Sequence, residues 1–154
     1  MEKYYLTKKG LGRIEKEHKQ LISFREAKTR GETPAIWHSE DVNPEYLAFQ
    51  EDMSLLEARV SEYEKILRSV ELIRKPPKTR RDEVNIGATV IFSVDEQEDT
   101  FTIVGSLETN PTEGRISNES LVGSAFMGAK VGDAVEVSSP VKVVYTIMEI
   151  RYEL

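Results

Sequence analysis

The chain has 154 residues, of which 39% are hydrophobic, a formal net charge of −6 and no cysteine. That length holds one compact domain or two small ones, and the low hydrophobic share suits an exposed coiled coil joined to a small core. The lack of cysteine excludes disulfide frameworks and thiolate metal sites. The lack of a signal-type N-terminus, or of any apolar run of about 18 residues, points to a soluble cytoplasmic protein with no membrane partner.

A first helix is predicted from Thr7, whose hydroxyl can cap it, to about Arg30. Leu11, Ile14, His18 and Leu21, then Arg25 and Lys28, form one seam at heptad spacing, apolar first and basic later. Long basic stems can cover a partner helix while keeping their heads in water. Gly31-Glu32-Thr33-Pro34-Ala35-Ile36 breaks this helix, because glycine frees the backbone and proline disfavours helix in the residue before it.

Trp37-His38-Ser39-Glu40-Asp41-Val42 follows, with an aromatic and two adjacent carboxylates where a hairpin would turn. Asn43-Pro44-Glu45 then signals a second helix: asparagine caps, proline fits the first position, and glutamate complements the positive helix end. Tyr46, Phe49, Met53, Leu56, Val60, Tyr63, Leu67 and Val70 recur at alternating spacings of 3 and 4. A seam this narrow and regular implies a two-stranded arm rather than a face packed into a globule. Read from Asn43 to Ile73, the helix would span on the order of 45 Å.

Lys75-Pro76-Pro77-Lys78-Thr79-Arg80-Arg81 reads as a stiff, solvated linker. Beyond it, Ala88–Val94, Thr100–Val104, Ala134–Ser138 and Lys142–Tyr152 carry strand composition, and Asp95-Glu96-Gln97-Glu98-Asp99 reads as a charged hairpin turn. A short helix is expected from Ser117 or Asn118 to Met127, ended by Gly128. The fold class that follows is α+β. An antiparallel helical hairpin at 1–75, with its tip at about 31–43, leads through a linker at 76–83 to a small, mostly antiparallel β domain at 84–154.

Charge is uneven. Residues 84–154 carry 4 basic and 11 acidic side chains, which argues against that half gripping a phosphate backbone and favours a protein partner. No phosphate-binding glycine loop, nucleophile–base motif or zinc spacing is present, so an independent enzyme is not expected. Taken by themselves, Glu40 and Asp41 read as a solvated loop, Trp37 as a cover for the end of the coiled coil, and His38 as a polar loop residue. A coiled-coil adaptor would show exposed apolar residues on the arm beyond the seam, and the sequence shows little of that.

These elements, in this order, resemble the Gre family of bacterial transcription elongation factors over nearly the whole chain. The similarity is carried by YYLTKKGLGRIEKEHKQL at the first helix and NPEYLAFQEDMSLLEARVSEYEKIL at the second. In the β domain it is carried by VNIGATVIF, FTIVGSLE and GRISNESLVGSAFMGAKVGDAVEV. The resemblance implies a monomer that binds RNA polymerase through its secondary channel and stimulates cleavage of backtracked nascent RNA, without catalysing alone. It would meet nascent RNA and DNA only within the elongation complex.

The resemblance further implies no cofactor of the protein's own. Glu40 and Asp41 at the tip would help hold Mg²⁺ of the polymerase active centre. In the β domain it makes Ser120, Val122, Ser124 and Phe126 the candidate partner-binding residues. The family's tip usually reads Asp-Leu-x-Glu-Asn-x-Glu-Tyr. Anchored on Asn43 and Glu45-Tyr46, this chain places Ser39 and Val42 where that pattern has its two acids. The alternative implied by this departure is a secondary-channel regulator that binds and competes without supporting cleavage.

Overall fold

A seam of alternating 3 and 4 spacing needs one partner helix, and the chain supplies it internally. The structure is a computed structural model describing residues 2–31, 43–138 and 140–154. Helix α1 spans Lys8–Arg30 and α2 spans Pro44–Arg68. The chain divides into two compact units: Gly12–Ser69, and Met1–Leu11 together with Val70–Leu154.

Within the helical unit, Ile14, Leu56, Val60 and Ile66 are buried, and the seam residues Tyr46, Phe49, Met53, Tyr63 and Leu67 are half-buried. Cross-helix bonds fix an antiparallel register. Tyr63 Oη donates to Glu17 at 2.6 Å, Arg25 pairs with Glu57 at 3.2 Å, and Lys28 with Asp52 at 3.2 Å. The basic end of the α1 seam thus lies against acids of α2, as snorkelling stems would. Asn43 caps α2 by accepting from the Glu45 N–H at 3.0 Å, with Pro44 at the first helical position.

The second unit is built on two sheets. Strand β1 (Tyr4–Leu6) pairs in parallel with β2 (Val70–Leu72). The larger sheet contains β3 (Thr89–Val94), β4 (Gln97–Val104), β5 (Arg115–Ser117), β6 (Ala134–Ser138) and β7 (Lys142–Arg151), in the order β5-β4-β3-β7-β6. All its pairings are antiparallel except β4 with β5, and β7 shifts register opposite Ile91 and Phe92. A six-residue helix, α3 (Leu121–Phe126), starts at Ser120. The core is aromatic: the Phe126 ring meets Tyr145 at 5.1 Å and Phe92 at 5.7 Å, both edge-on, a preferred ring geometry.

Several expectations need correction. The second helix stops at Arg68, and Val70, read as its last seam residue, lies in β2. Its apolar side chain serves either element, so periodicity could not mark the change. The first residues and 70–75 belong with the sheets, not the arm, because β1 and β2 pair there and Leu6 is fully buried. The hairpin turn is only Asp95-Glu96, both at positive φ, and Gln97-Glu98-Asp99 are already strand β4. Ser117 ends β5 and does not begin a helix. In the segment read as a linker, Lys78–Arg80 forms a single 3-10 turn. Among the described residues no helix is long and apolar enough to cross a membrane.

Candidate functional site

The sequence points to two places, the tip of the arm and the α3 segment. Glu40 and Asp41, with Trp37, His38, Ser39 and Val42, lie outside the described residues. What the structure describes is the frame on either side of them. α1 ends at Arg30 and α2 begins at Asn43-Pro44, so residues 31–43 join the two helices.

The last turns of α1 are tied to α2 by charge and ring contacts. Lys28 Nζ sits 5.8 Å from the Phe24 ring centroid and 6.0 Å from that of Phe49, with Asp52 closing the site at 3.2 Å. A cation held between two rings and a carboxylate is a positioned group, not a free lysine. Further along the seam, His18 Nε2 is buried without a hydrogen bond, 3.8 Å from Glu64. At that distance the contact is an ion pair only when the imidazole is protonated. Tyr63 is held above its ordinary pKa, first by its bond to Glu17 and then by burial. Three apolar side chains of the arm stand outside the seam in solvent: Leu55 (67% exposed), Phe24 (57%) and Leu47 (45%). That is more exposed apolar surface than the sequence reading expected.

In the sheet unit, the residues expected to meet a partner play different parts. Ser120 Oγ donates to the Ser117 carbonyl at 2.6 Å and accepts from the Gly123 N–H at 3.1 Å, so its hydroxyl is occupied in starting α3. A Cβ at Gly123 would lie 2.0 Å from the Ser117 carbonyl oxygen; only glycine lets the helix approach β5 this closely. Val122 is half-buried against the core. Ser124 is exposed, its hydroxyl donating back to the Leu121 carbonyl at 3.2 Å.

Phe126 corrects the expectation: it is fully buried in the ring cluster and presents nothing to a partner. Leu121, 56% exposed, is the apolar residue of α3 that faces solvent. The signal was available, because Val122 and Phe126 stand four apart and define the inward face, leaving Leu121 off it.

Comparison with known proteins places this architecture. The family described as "Transcription elongation factor, GreA/GreB, C-term" matches residues 78–152. Transcription elongation factor GreA of Chloroflexus aggregans is 37% identical over 152 residues, covering 96% of each chain. The GreA of Rhodospirillum rubrum is 40% identical over 144 residues, covering 91% of each.

The chain belongs to the GreA/GreB family.

The GreA/GreB match over 78–152 spans the larger sheet and α3, and the near full-length identity to the GreA relatives carries the helical hairpin as well. The crystal structure of GreA factor homolog 1 (Gfh1) of Thermus thermophilus aligns over 97% of this chain and 99% of its own. Its identity is 21% and its TM-score 0.43, so membership of the GreA/GreB family rests on the sequence relatives.

Proposed function

We propose that this chain is a transcription elongation factor that binds RNA polymerase through its secondary channel and stimulates cleavage of backtracked nascent RNA. The observation that carries the reading is the near full-length identity to factors named GreA, joined to a helical hairpin that leads to a pair of acids. Glu40 and Asp41 are adjacent carboxylates, the hard oxygen donors that Mg²⁺ prefers, and magnesium is commonly held by one or two such groups with waters. The chain would supply them to the polymerase's metal and would not be a catalyst alone. Because the seam is satisfied within one chain, the factor acts as a monomer.

A second reading, a channel-binding regulator that competes with other factors and does not support cleavage, is favoured by one observation. Ser39 and Val42 stand where the family's tip pattern has its acids.

RNA release from stalled, backtracked elongation complexes of the cognate polymerase separates the two. Stimulation by the wild type, lost in the Glu40→Ala/Asp41→Ala variant with binding to polymerase unchanged, supports the first. Binding and competition without stimulation by the wild type establishes the second.

A further inference from the structure

The sheet unit carries a cleft of about 1010 Å³ that the proposed function leaves unused. Its walls bring together Lys8 and Lys9 from the first turn of α1, Arg74 and Lys75 from just beyond β2, and Arg115 from β5. All five belong to the one unit made of Met1–Leu11 and Val70–Leu154. They converge in a protein of net charge −6, on a sheet domain in which acids outnumber bases.

These charges are only partly compensated locally. Among the described residues, no ion pair engages Lys8, Lys9, Arg74 or Lys75. Two side-chain carboxylates line the cleft, Glu108, which accepts from Thr7 through both oxygens, and Glu153, 3.9 Å from Arg151, and the five cations outnumber them. Arg115 pairs with Glu113 at 2.7 Å through a terminal nitrogen, yet its Nε is buried with no acceptor. A buried donor left unpaired is costly, and an acceptor brought by a ligand would relieve it. The lining also holds Thr7 and Thr102 and an apolar part, in which Ile73 and Val104 are buried, Leu72 is half-buried and Leu154 is exposed.

We propose that this cleft binds a small phosphate ester with an apolar ring system, of the nucleoside di- or triphosphate class. The phosphates would meet the lysines as point charges and Arg115 as a directional donor, while the base covers Leu72 and Leu154. The volume is that of a small-molecule site, and the mix of apolar surface with a few convergent polar groups is the usual make-up of one. A simple anion would leave the apolar surface in water, and a hydrocarbon would leave four cations unmatched. The proposal does not depend on the elongation reading and needs no polymerase for its test.

The test is fluorescence anisotropy of a methylanthraniloyl-labelled ADP with the full-length protein, competed by ADP, adenosine and pyrophosphate. The expected result is saturable binding, with ADP the strongest competitor and adenosine and pyrophosphate each weaker. Lys9→Ala/Lys75→Ala should weaken binding by roughly tenfold, two lost charge-assisted contacts. Lys142→Ala, on β7 and outside the cleft, should leave it unchanged, with thermal unfolding confirming that both variants are folded. Failure to saturate, or equal affinity in the cleft variant, overturns the proposal. Pyrophosphate competing as well as ADP reduces the cleft to an anion site and overturns it too. So does a single-stranded oligonucleotide that outcompetes ADP.

Discussion

Glu108 closes the first turn of α1 from a hundred residues away. Its Oε2 accepts from the Thr7 N–H at 2.8 Å and its Oε1 from the Thr7 hydroxyl at 2.6 Å. The same hydroxyl oxygen accepts from the Gly10 N–H at 3.0 Å, so one threonine is both helix cap and long-range anchor. Removing either partner leaves part-buried polar groups unmatched. Thr7→Ala and Glu108→Ala should each lower stability by about 1–3 kcal/mol. The two losses should couple by about 1 kcal/mol or more in a double-mutant cycle read by urea unfolding.

Gly10 follows from the same contact. Alanine is normally the better helix residue by about 1 kcal/mol. Here its Cβ would stand 2.3 Å from Glu108 Oε1, displacing the carboxylate from Thr7. Gly10→Ala should therefore destabilise the wild type by about 1 kcal/mol. In the Glu108→Ala background it should stabilise by a similar amount. A change of the same sign in both backgrounds would reject this account of the glycine.

The β3–β4 hairpin turns on two non-glycine residues in left-handed backbone, Asp95 at φ 50° and Glu96 at φ 67°. A two-residue turn with both centres at positive φ is the type that favours Asn-Gly. Asp95→Asn/Glu96→Gly should raise stability by about 1 kcal/mol, because the left-handed cost at a residue bearing a Cβ is of that order. The shift in urea midpoint at constant slope measures it.

Two tyrosines give the fold an alkaline limit. Tyr63 is raised chiefly by its bond to Glu17, and Tyr152 chiefly by burial, with its hydroxyl donating to the Glu83 carbonyl. Each folded-state pKa lies above the unfolded value near 10. The stabilisation is therefore full below that pH and is lost as pH rises through the folded values. Absorbance titration at high pH should show two late-titrating phenols. Tyr63→Phe and Tyr152→Phe should each remove one, together with part of the alkaline fall in thermal stability.

The local signals were readable and the distant ones were not. Thr7 as a cap, Asn43-Pro44 as a helix start and the seam from Tyr46 to Leu67 all act through neighbours a few residues away, and each appears where expected. β1 and β2 are three-residue strands whose pairing joins Tyr4 to Val70, a contact that no local pattern encodes. β5 is equally short and pairs in parallel with β4. At α3 the failure was of another kind. Resemblance points to the segment as a whole, whereas the four-residue spacing of Val122 and Phe126 marks its inward face, and burial agrees: Phe126 lies inside and Leu121 outside.

The parallel pairing of Tyr4–Leu6 with Val70–Leu72 makes the sheet unit discontinuous along the chain. Its first strand must wait until Val70–Leu72, on the far side of both long helices, has been made before it has a partner. The helical hairpin, closed by contacts nearer in sequence, can form in the meantime. A fragment begun at the proline linker would lack Leu6, β1 and β2, and would carry a sheet unit with its opening strand missing.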